Sequence, residues 1–126
     1  MPEVAAISLS SFETISYGVA VNPTGTRVYV TSYPGTVSVI DTSSNAVIAA
    51  IATGASEPTG IAVNPAGSGV YVTNQDDANV TVIDTSANTV VAYVFVGLQP
   101  AGVAVNPAGT RVYVVPTPRL YPAACR

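Results

Sequence analysis

No histidine occurs in the 126 residues. That absence removes the Ser-His-Asp and Cys-His catalytic arrangements, histidine metal ligands and the commonest general base in one step. Lysine is missing too: the four basic residues, Arg27, Arg111, Arg119 and Arg126, are all arginine, and the formal net charge is -3. A phosphate backbone meets no basic stripe, so no nucleic-acid partner is expected. Charged residues make up only 9% of the chain against 48% hydrophobic, with ten Gly and ten Pro. This balance argues against disorder and against long soluble helices. The lone cysteine, Cys125, stands next to the C-terminal residue, which excludes an internal disulfide; it reads as a terminal thiol rather than a reactive nucleophile. The opening "MPEVAAISLSSFETIS" has neither the cationic start nor the apolar core of a signal peptide. The chain is therefore expected either to stay inside the cell or to have lost an export segment. Its longest apolar run, "VVAYVFVGL" from Val90, is far too short to span a bilayer, and no membrane span is expected.

What is present is one phrase, three times. "GVAVNPTGTRVYVTS" from Gly18 returns as "GIAVNPAGSGVYVTN" from Gly60 and as "GVAVNPAGTRVYVVP" from Gly102, with 42 residues from each glycine to the next. A period of this length is typical of repeats in which one four-stranded unit recurs as a propeller blade. Within a unit, "GVAV" is a short apolar strand ended by turn chemistry at Asn22, Pro23 and Gly25, with "NPAG" repeating it at Asn64 and Asn106. The β-branched and aromatic "RVYVTS", "VYVTN" and "RVYVV" are second strands. After a variable loop, "YPG" or "QDDAN", a third strand follows in "TVSVIDT" or "VTVIDT". The turns "DTSSN" and "DTSAN" then lead into "AVIAAIATG" and "TVVAYVFVG", fourth strands that close on Gly54 and Gly97. Apolar residues of both parities in the fourth strands predict sheets covered on both faces. Radially stacked blades satisfy that requirement, with Gly18, Ala20, Gly60 and Ala62 suiting a crowded inner strand. A β-sandwich, the competing fold, predicts more polar alternation and no recurrence of this kind.

The expected architecture is an all-β propeller of four-stranded antiparallel blades, about three blades' worth in this chain. Residues 18–59 and 60–101 form two blades. Residues 102–126 form an incomplete third with a Pro-rich tail, in which Pro122 would interrupt a third strand. The segment 1–17 together with 102–126 amounts to one further period, and "EVAAISL" aligns with "NAVIAAIA" as the outer strand of a split blade. Three blades are fewer than the roughly four to eight of closed rings, so the chain is not expected to close alone. Two outcomes follow: a homo-oligomer completes the ring, or the chain is a piece of a longer propeller. The proline tail tips the balance toward the second.

The combination of "AVNPxG", "VYVTS" and "VYVTN", and "VSVIDT" and "VTVIDT" at fixed spacing resembles the YVTN family of β-propeller repeats, whose tetrapeptide stands intact as Tyr71, Val72, Thr73 and Asn74. The similarity extends from Gly18 to Val114. The chain departs from the pattern at Ser32, which replaces Asn, and at Val115 and Pro116, where the third copy loses "TN". Similar repeats occur in archaeal surface-layer proteins and in many bacterial proteins, and related propellers include lactonases and cofactor-dependent oxidoreductases. The resemblance implies a propeller and a scaffold at the cell surface or outside the cell; it does not imply one reaction.

Few residues remain as candidates for chemistry. Asp41 and Asp84 recur in successive repeats, but each opens a "DTSxN" turn, which favours a structural role over acid-base work. Asn74, Asp76, Asp77 and Asn79 gather oxygen ligands in "NQDDANVT", though without the glycine and terminal glutamate of a calcium-binding EF-hand loop. Asn79, Val80 and Thr81 form a glycosylation sequon, relevant only to an exported chain. Tyr29, Tyr71 and Tyr113 recur at the period and read as packing residues rather than a stacking platform. No Gly-rich phosphate loop opens a helix. Accordingly no catalytic, cofactor-binding or metal-binding residue is assigned and no cofactor is expected. The expected function is a non-catalytic structural or protein-interaction module, whose partner is a second copy, the rest of a longer propeller or another protein. The alternative is a fragment or subunit of a propeller enzyme or ligand-binding protein, lactonase-like or oxidoreductase-like.

Overall fold

The computed structural model describes residues 15–54, 57–97 and 99–116 together with Val4, Ala6 and Ile7, and for residues 15–17 the backbone alone. Ten strands lie in this range: β1 (Ile15–Val21), β2 (Arg27–Tyr33), β3 (Thr36–Asp41), β4 (Ala46–Ala52), β5 (Pro58–Val63), β6 (Gly69–Asn74), β7 (Asn79–Asp84), β8 (Thr89–Phe95), β9 (Pro100–Val105) and β10 (Val112–Pro116). They form two four-stranded sheets, β1-β2-β3-β4 and β5-β6-β7-β8, and a two-stranded sheet of β9 and β10. All pairings are antiparallel and follow chain order. These are blade 1, blade 2 and the front half of a third unit. No helix among the described residues is long and apolar enough to cross a membrane. Of the segment read as the outer strand of a split blade, 1–17, Val4, Ala6, Ile7 and the start of β1 are described; the rest of it, and residues 117–126 of the Pro-rich tail with Arg119, Cys125 and Arg126, lie outside the described residues.

The turns are built as their residues dictate. In each "NPxG" turn the asparagine side chain replaces a missing ladder partner: Asn22 Oδ1 accepts from the Thr26 and Arg27 amides at 2.9 and 3.0 Å. Asn64 accepts in the same way from Ser68 and Gly69, and Asn106 from Thr110 and Arg111. The chain then reverses at Gly25, Gly67 and Gly109, each with φ near +73° (74°, 74° and 72°), where a Cβ would be strained. The β3–β4 and β7–β8 turns place Asn45 and Asn88 in the left-handed region, as the "DTSxN" spacing predicts. The β6–β7 turn puts Ala78 there at φ 55°, which its side chain does not favour.

Blades 1 and 2 stack face to face, and the core lies between them. Tyr29, Val37, Val39 and Ile51 from blade 1 pack against Val70, Val72 and Ile83 from blade 2. Because alternate residues of a strand point to opposite faces, this assigns Tyr29 and Thr31 to the rear of blade 1, and Val28 and Val30 to its front. β6 has neighbours on both sides and is buried or half-buried along its whole length. The fourth strands differ from expectation: β4 and β8 are apolar yet mostly exposed. The reason is positional. Among the described residues, blade 1 has a sheet on one side only, and the third unit sets two strands against blade 2.

The strands β1, β5 and β9 lie side by side as inner strands. Each starts two or three residues ahead of the glycine that opens the repeated phrase, at Ile15, Pro58 and Pro100. In β1 and β5 that glycine sits at a break in register, between Ser16 and Gly18 and between Pro58 and Ile61. There the glycine amide turns to a side chain instead of the ladder: Gly18 N–H donates to Thr31 Oγ1 at 2.9 Å and Gly60 N–H to Thr73 Oγ1 at 2.7 Å. Closeness to the next blade adds a second reason for glycine. A Cβ on Gly60 would collide with the Ala101 carbonyl, and one on Gly18 would lie 3.0 Å from the Thr59 carbonyl oxygen.

Candidate functional site

The carboxylates that recur with the repeat are occupied locally. Asp41 Oδ2 accepts from the Ser43 and Ser44 hydroxyls at 2.7 and 3.2 Å, while its Oδ1 meets Arg27 Nη1 at 3.1 Å. The Ser43 hydrogen bond, ahead of the Arg27 charge, holds the Asp41 carboxyl below the usual aspartate value. Asp84 accepts from the Ser86 amide and hydroxyl. Each acid stabilises its own turn, and neither lines the cavity described below.

The polar loop between β6 and β7 divides rather than converges. Asn74 is fully buried and its Nδ2 donates to Asn79 Oδ1 at 2.8 Å and to Thr81 Oγ1 at 2.7 Å, whereas Asp76 and Asp77 are exposed. Asn74 Oδ1 is buried with no partner among the described residues. The hydroxyl of the sequon, on Thr81, is thus inside the blade and already bonded. A hydrogen bond with Asp76, then its negative charge, raises the Glu57 carboxyl above the ordinary glutamate value. Among the described residues no three Asp, Glu or Cys side chains cluster as metal ligands.

The three tyrosines of the period share one register position but not one environment. Tyr29 is 3% exposed in the joint between blades, and burial raises its hydroxyl pKa. Tyr71 is half-buried and Tyr113 is 58% exposed. The gradient follows how much sheet stands behind each: a full blade, half a blade, and none among the described residues. The same gap leaves a cavity of about 160 Å³ beside Tyr71, walled by Val80, Val82, Val94, Val112 and Val114. Its lining is almost wholly apolar. It lies where third and fourth strands of the third unit would cover blade 2, and so Val94 is 50% exposed while Ile51, at the same place in blade 1, is 5% exposed.

Two connections between blades escaped the sequence reading. Thr73 Oγ1, having accepted from Gly60, reaches the Ala101 carbonyl of the third unit at 2.7 Å, with Thr59 Oγ1 alongside at 3.0 Å. Tyr93 donates across the other joint to the Thr53 carbonyl at 2.7 Å, its hydroxyl filling the space that a side chain on Gly54 would need. The first had a legible signal, a threonine thirteen residues after the glycine in copies one and two and a valine, Val115, in copy three. The second had none, because Tyr93 corresponds to Ala50 in blade 1.

The features that stand out are therefore sheet faces and joints, not a cleft of converging polar groups. No family model matches the sequence, and no curated protein does. Among solved structures, the chain is similar to one titled Kuenenia stuttgartiensis Hydrazine Synthase, a propeller-containing protein, with a TM-score of 0.77 at 24% identity over 80% of this chain. The match spans 29% of that structure's chain. What this defines is an all-β protein built from propeller-type, four-stranded antiparallel blades. Its described strands form an open row and not a closed ring.

Proposed function

We propose that the chain is a non-catalytic structural or protein-interaction module of the YVTN β-propeller kind, acting at the cell surface or outside the cell, whose working parts are its blade faces. The observation that carries this reading is the use made of the repeated polar groups. Asn22, Asn64, Asn106, Asp41, Asp84, Thr31 and Thr73 all bond to their own turns, strands or neighbouring blades. Groups so engaged serve packing and are not free for a substrate. The partner is a second copy or the remainder of a longer propeller.

One observation favours a second reading, a part or subunit of a larger propeller enzyme or ligand-binding protein, lactonase-like or oxidoreductase-like. The chain spans under a third of the hydrazine synthase chain whose fold it shares, so loops carried by other blades would complete a site. A thermal-shift screen of the whole chain against lactones, sugars, quinones and calcium separates the two. The module reading expects no saturable rise in Tm with any of them; a saturable rise with one class overturns it in favour of the second.

A further inference from the structure

We propose that a second copy of this chain docks front to back, the front face of blade 1 in one copy covering the rear face of the third unit in the other. The inference deepens the reading of an interaction module and rests on it. Its basis is that the two end faces are the separated halves of a joint the molecule already contains.

In the joint between blades 1 and 2, blade 2 contributes Ile61, Val63, Val70, Val72, Ile83 and Val90. The register gives the same six positions on the front of blade 1. Val19 and Val21 pair with Val30 and Val28, as Ile61 and Val63 pair with Val72 and Val70. Ile40 pairs with Val47 after a bulge, as Ile83 pairs with Val90 after the corresponding bulge. All six are apolar and β-branched; Ile40 is buried and Val28 and Val30 are half-buried, but Val19 is 69%, Val21 56% and Val47 47% exposed. On the other half of the joint, Tyr29 is matched by Tyr113, buried in the first case and exposed in the second. Among the described residues, side chains that match those of the joint thus stand exposed at both ends, at Val19, Val21 and Val47 on the front of blade 1 and at Tyr113 on the rear of the third unit, facing opposite ways along the row.

The handedness of the match selects the arrangement. A front face complements a rear face and not another front face, so the contact is heterologous, and two copies satisfy all four faces only by closing on each other. Six units then fall inside the range of roughly four to eight blades that rings contain. The match has one defect. Within the chain, Thr73 supplies the hydroxyl that bonds the carbonyl preceding the next inner glycine, on Ala101. In the joint between copies that carbonyl belongs to position 17 of the second copy, and Val115 in place of the threonine leaves it without a donor. The joint between copies thereby lacks a bond that the joint between blade 2 and the third unit has.

The test uses the whole chain and sedimentation velocity across micromolar to millimolar concentration. The expected result is a reversible species of twice the 12.7 kDa chain mass. Val19→Glu and Tyr113→Glu, both at exposed positions and so compatible with folding, each abolish it alone. Mixed together they restore a dimer, because one joint then has two intact faces. Val115→Thr, which adds the missing hydroxyl to each of the two joints of the closed pair, tightens association roughly 5- to 150-fold, as expected for two hydrogen bonds. A chain that stays monomeric at millimolar concentration overturns the proposal. So does dimerisation that survives Tyr113→Glu, which would mean pairing front to front, or a Val115→Thr variant no tighter than the parent. A small-molecule hit in the thermal-shift screen would instead overturn the non-catalytic reading and leave the docking geometry standing.

Discussion

Replacing Thr73 by valine imposes on the second repeat what the third already has, and its cost follows from the contacts of one hydroxyl. Thr73 is fully buried; its Oγ1 accepts from Gly60 N–H at 2.7 Å and donates to the Ala101 carbonyl at the same distance. Valine keeps the shape and the β-branch, so packing changes little, but both backbone groups lose their partner. A net hydrogen bond is worth about 0.5–1.5 kcal/mol, and leaving a buried partner unsatisfied costs about 1–3 kcal/mol. Two such losses would reach about 2–6 kcal/mol. Partial relief comes from Thr59 Oγ1, which sits 3.2 Å from the Pro100 carbonyl and 3.5 Å from that of Ala101 and can turn its proton to the latter. The expected loss is therefore about 2 kcal/mol, toward the lower end of that range. Thr31→Val, which removes the 2.9 Å bond to Gly18 N–H, should cost about 1 kcal/mol. Urea unfolding followed by circular dichroism at fixed protein concentration reads both. With a slope of about 1–3 kcal/mol per molar urea, Thr73→Val lowers the midpoint by roughly 1 M. The Gly60 amide should also lose its protection from hydrogen exchange. A Thr73→Val variant within 0.3 kcal/mol of the parent, or a protected Gly60 amide in that variant, would refute the reasoning.

Three further outcomes are expected. Alanine at the inner glycines should destabilise in the order Gly60, Gly18, Gly102. A Cβ meets the Ala101 carbonyl in the first case, the Thr59 carbonyl oxygen at 3.0 Å in the second and only the Val115 methyl at 3.1 Å in the third; equal urea midpoints for the three variants would contradict it. Tyr93→Phe removes the 2.7 Å bond to the Thr53 carbonyl and should cost about 1 kcal/mol by the same unfolding assay, with Ala50→Tyr, its counterpart in blade 1, giving no matching gain. In Tm against pH, two carboxyls act with opposite sign. Asp41 is depressed below its ordinary 3.8, so the stability it supplies is present above that value and lost as pH falls through its lower folded pKa. Glu57 is raised above its ordinary 4.5, so its contribution is present below that value and lost as pH rises through the raised one. Glu57→Gln should flatten the decline on the upper side and Asp41→Asn the decline on the acid side; an unchanged profile in either variant counts against the assignment.

Much of the fold could be read because turns are local. The asparagines of "NPxG" act on backbone groups within five residues and those of "DTSxN" adopt the left-handed backbone, so the residue types alone locate the reversals, and the strands are what lies between. The joints were less legible because they are contacts between residues of different repeats, far apart in sequence. Thr73 and Ala101, or Tyr93 and Thr53, are separated by 28 and 40 positions, and only the recurrence of a threonine opposite a glycine hinted at the first. Ala78 shows the limit from the other side. Nothing in "QDDAN" marks the alanine rather than its Asp or Asn neighbours for the left-handed region, because the hairpin geometry chose the position and not the side chain.

That division bears on what the third copy means. A valine where the repeat has threonine looks, in a string of letters, like decay of the motif. In the folded chain it changes one joint and no turn: Asn106 and Gly109 keep their bonds and their conformation, and β9 and β10 pair from Val112 with Val105 to Val115 with Gly102. What Val115 removes is a hydroxyl that in both earlier copies accepts from the inner glycine amide and in the second also reaches the next unit. Repeat positions that serve turns are under the control of their own blade, whereas those that serve joints depend on whether a neighbour is there. The departure at Val115 belongs to both its own blade and the joint, since in the first two copies the same hydroxyl also accepts from the inner glycine amide of its own blade, and it lies on the face where Tyr113 is exposed.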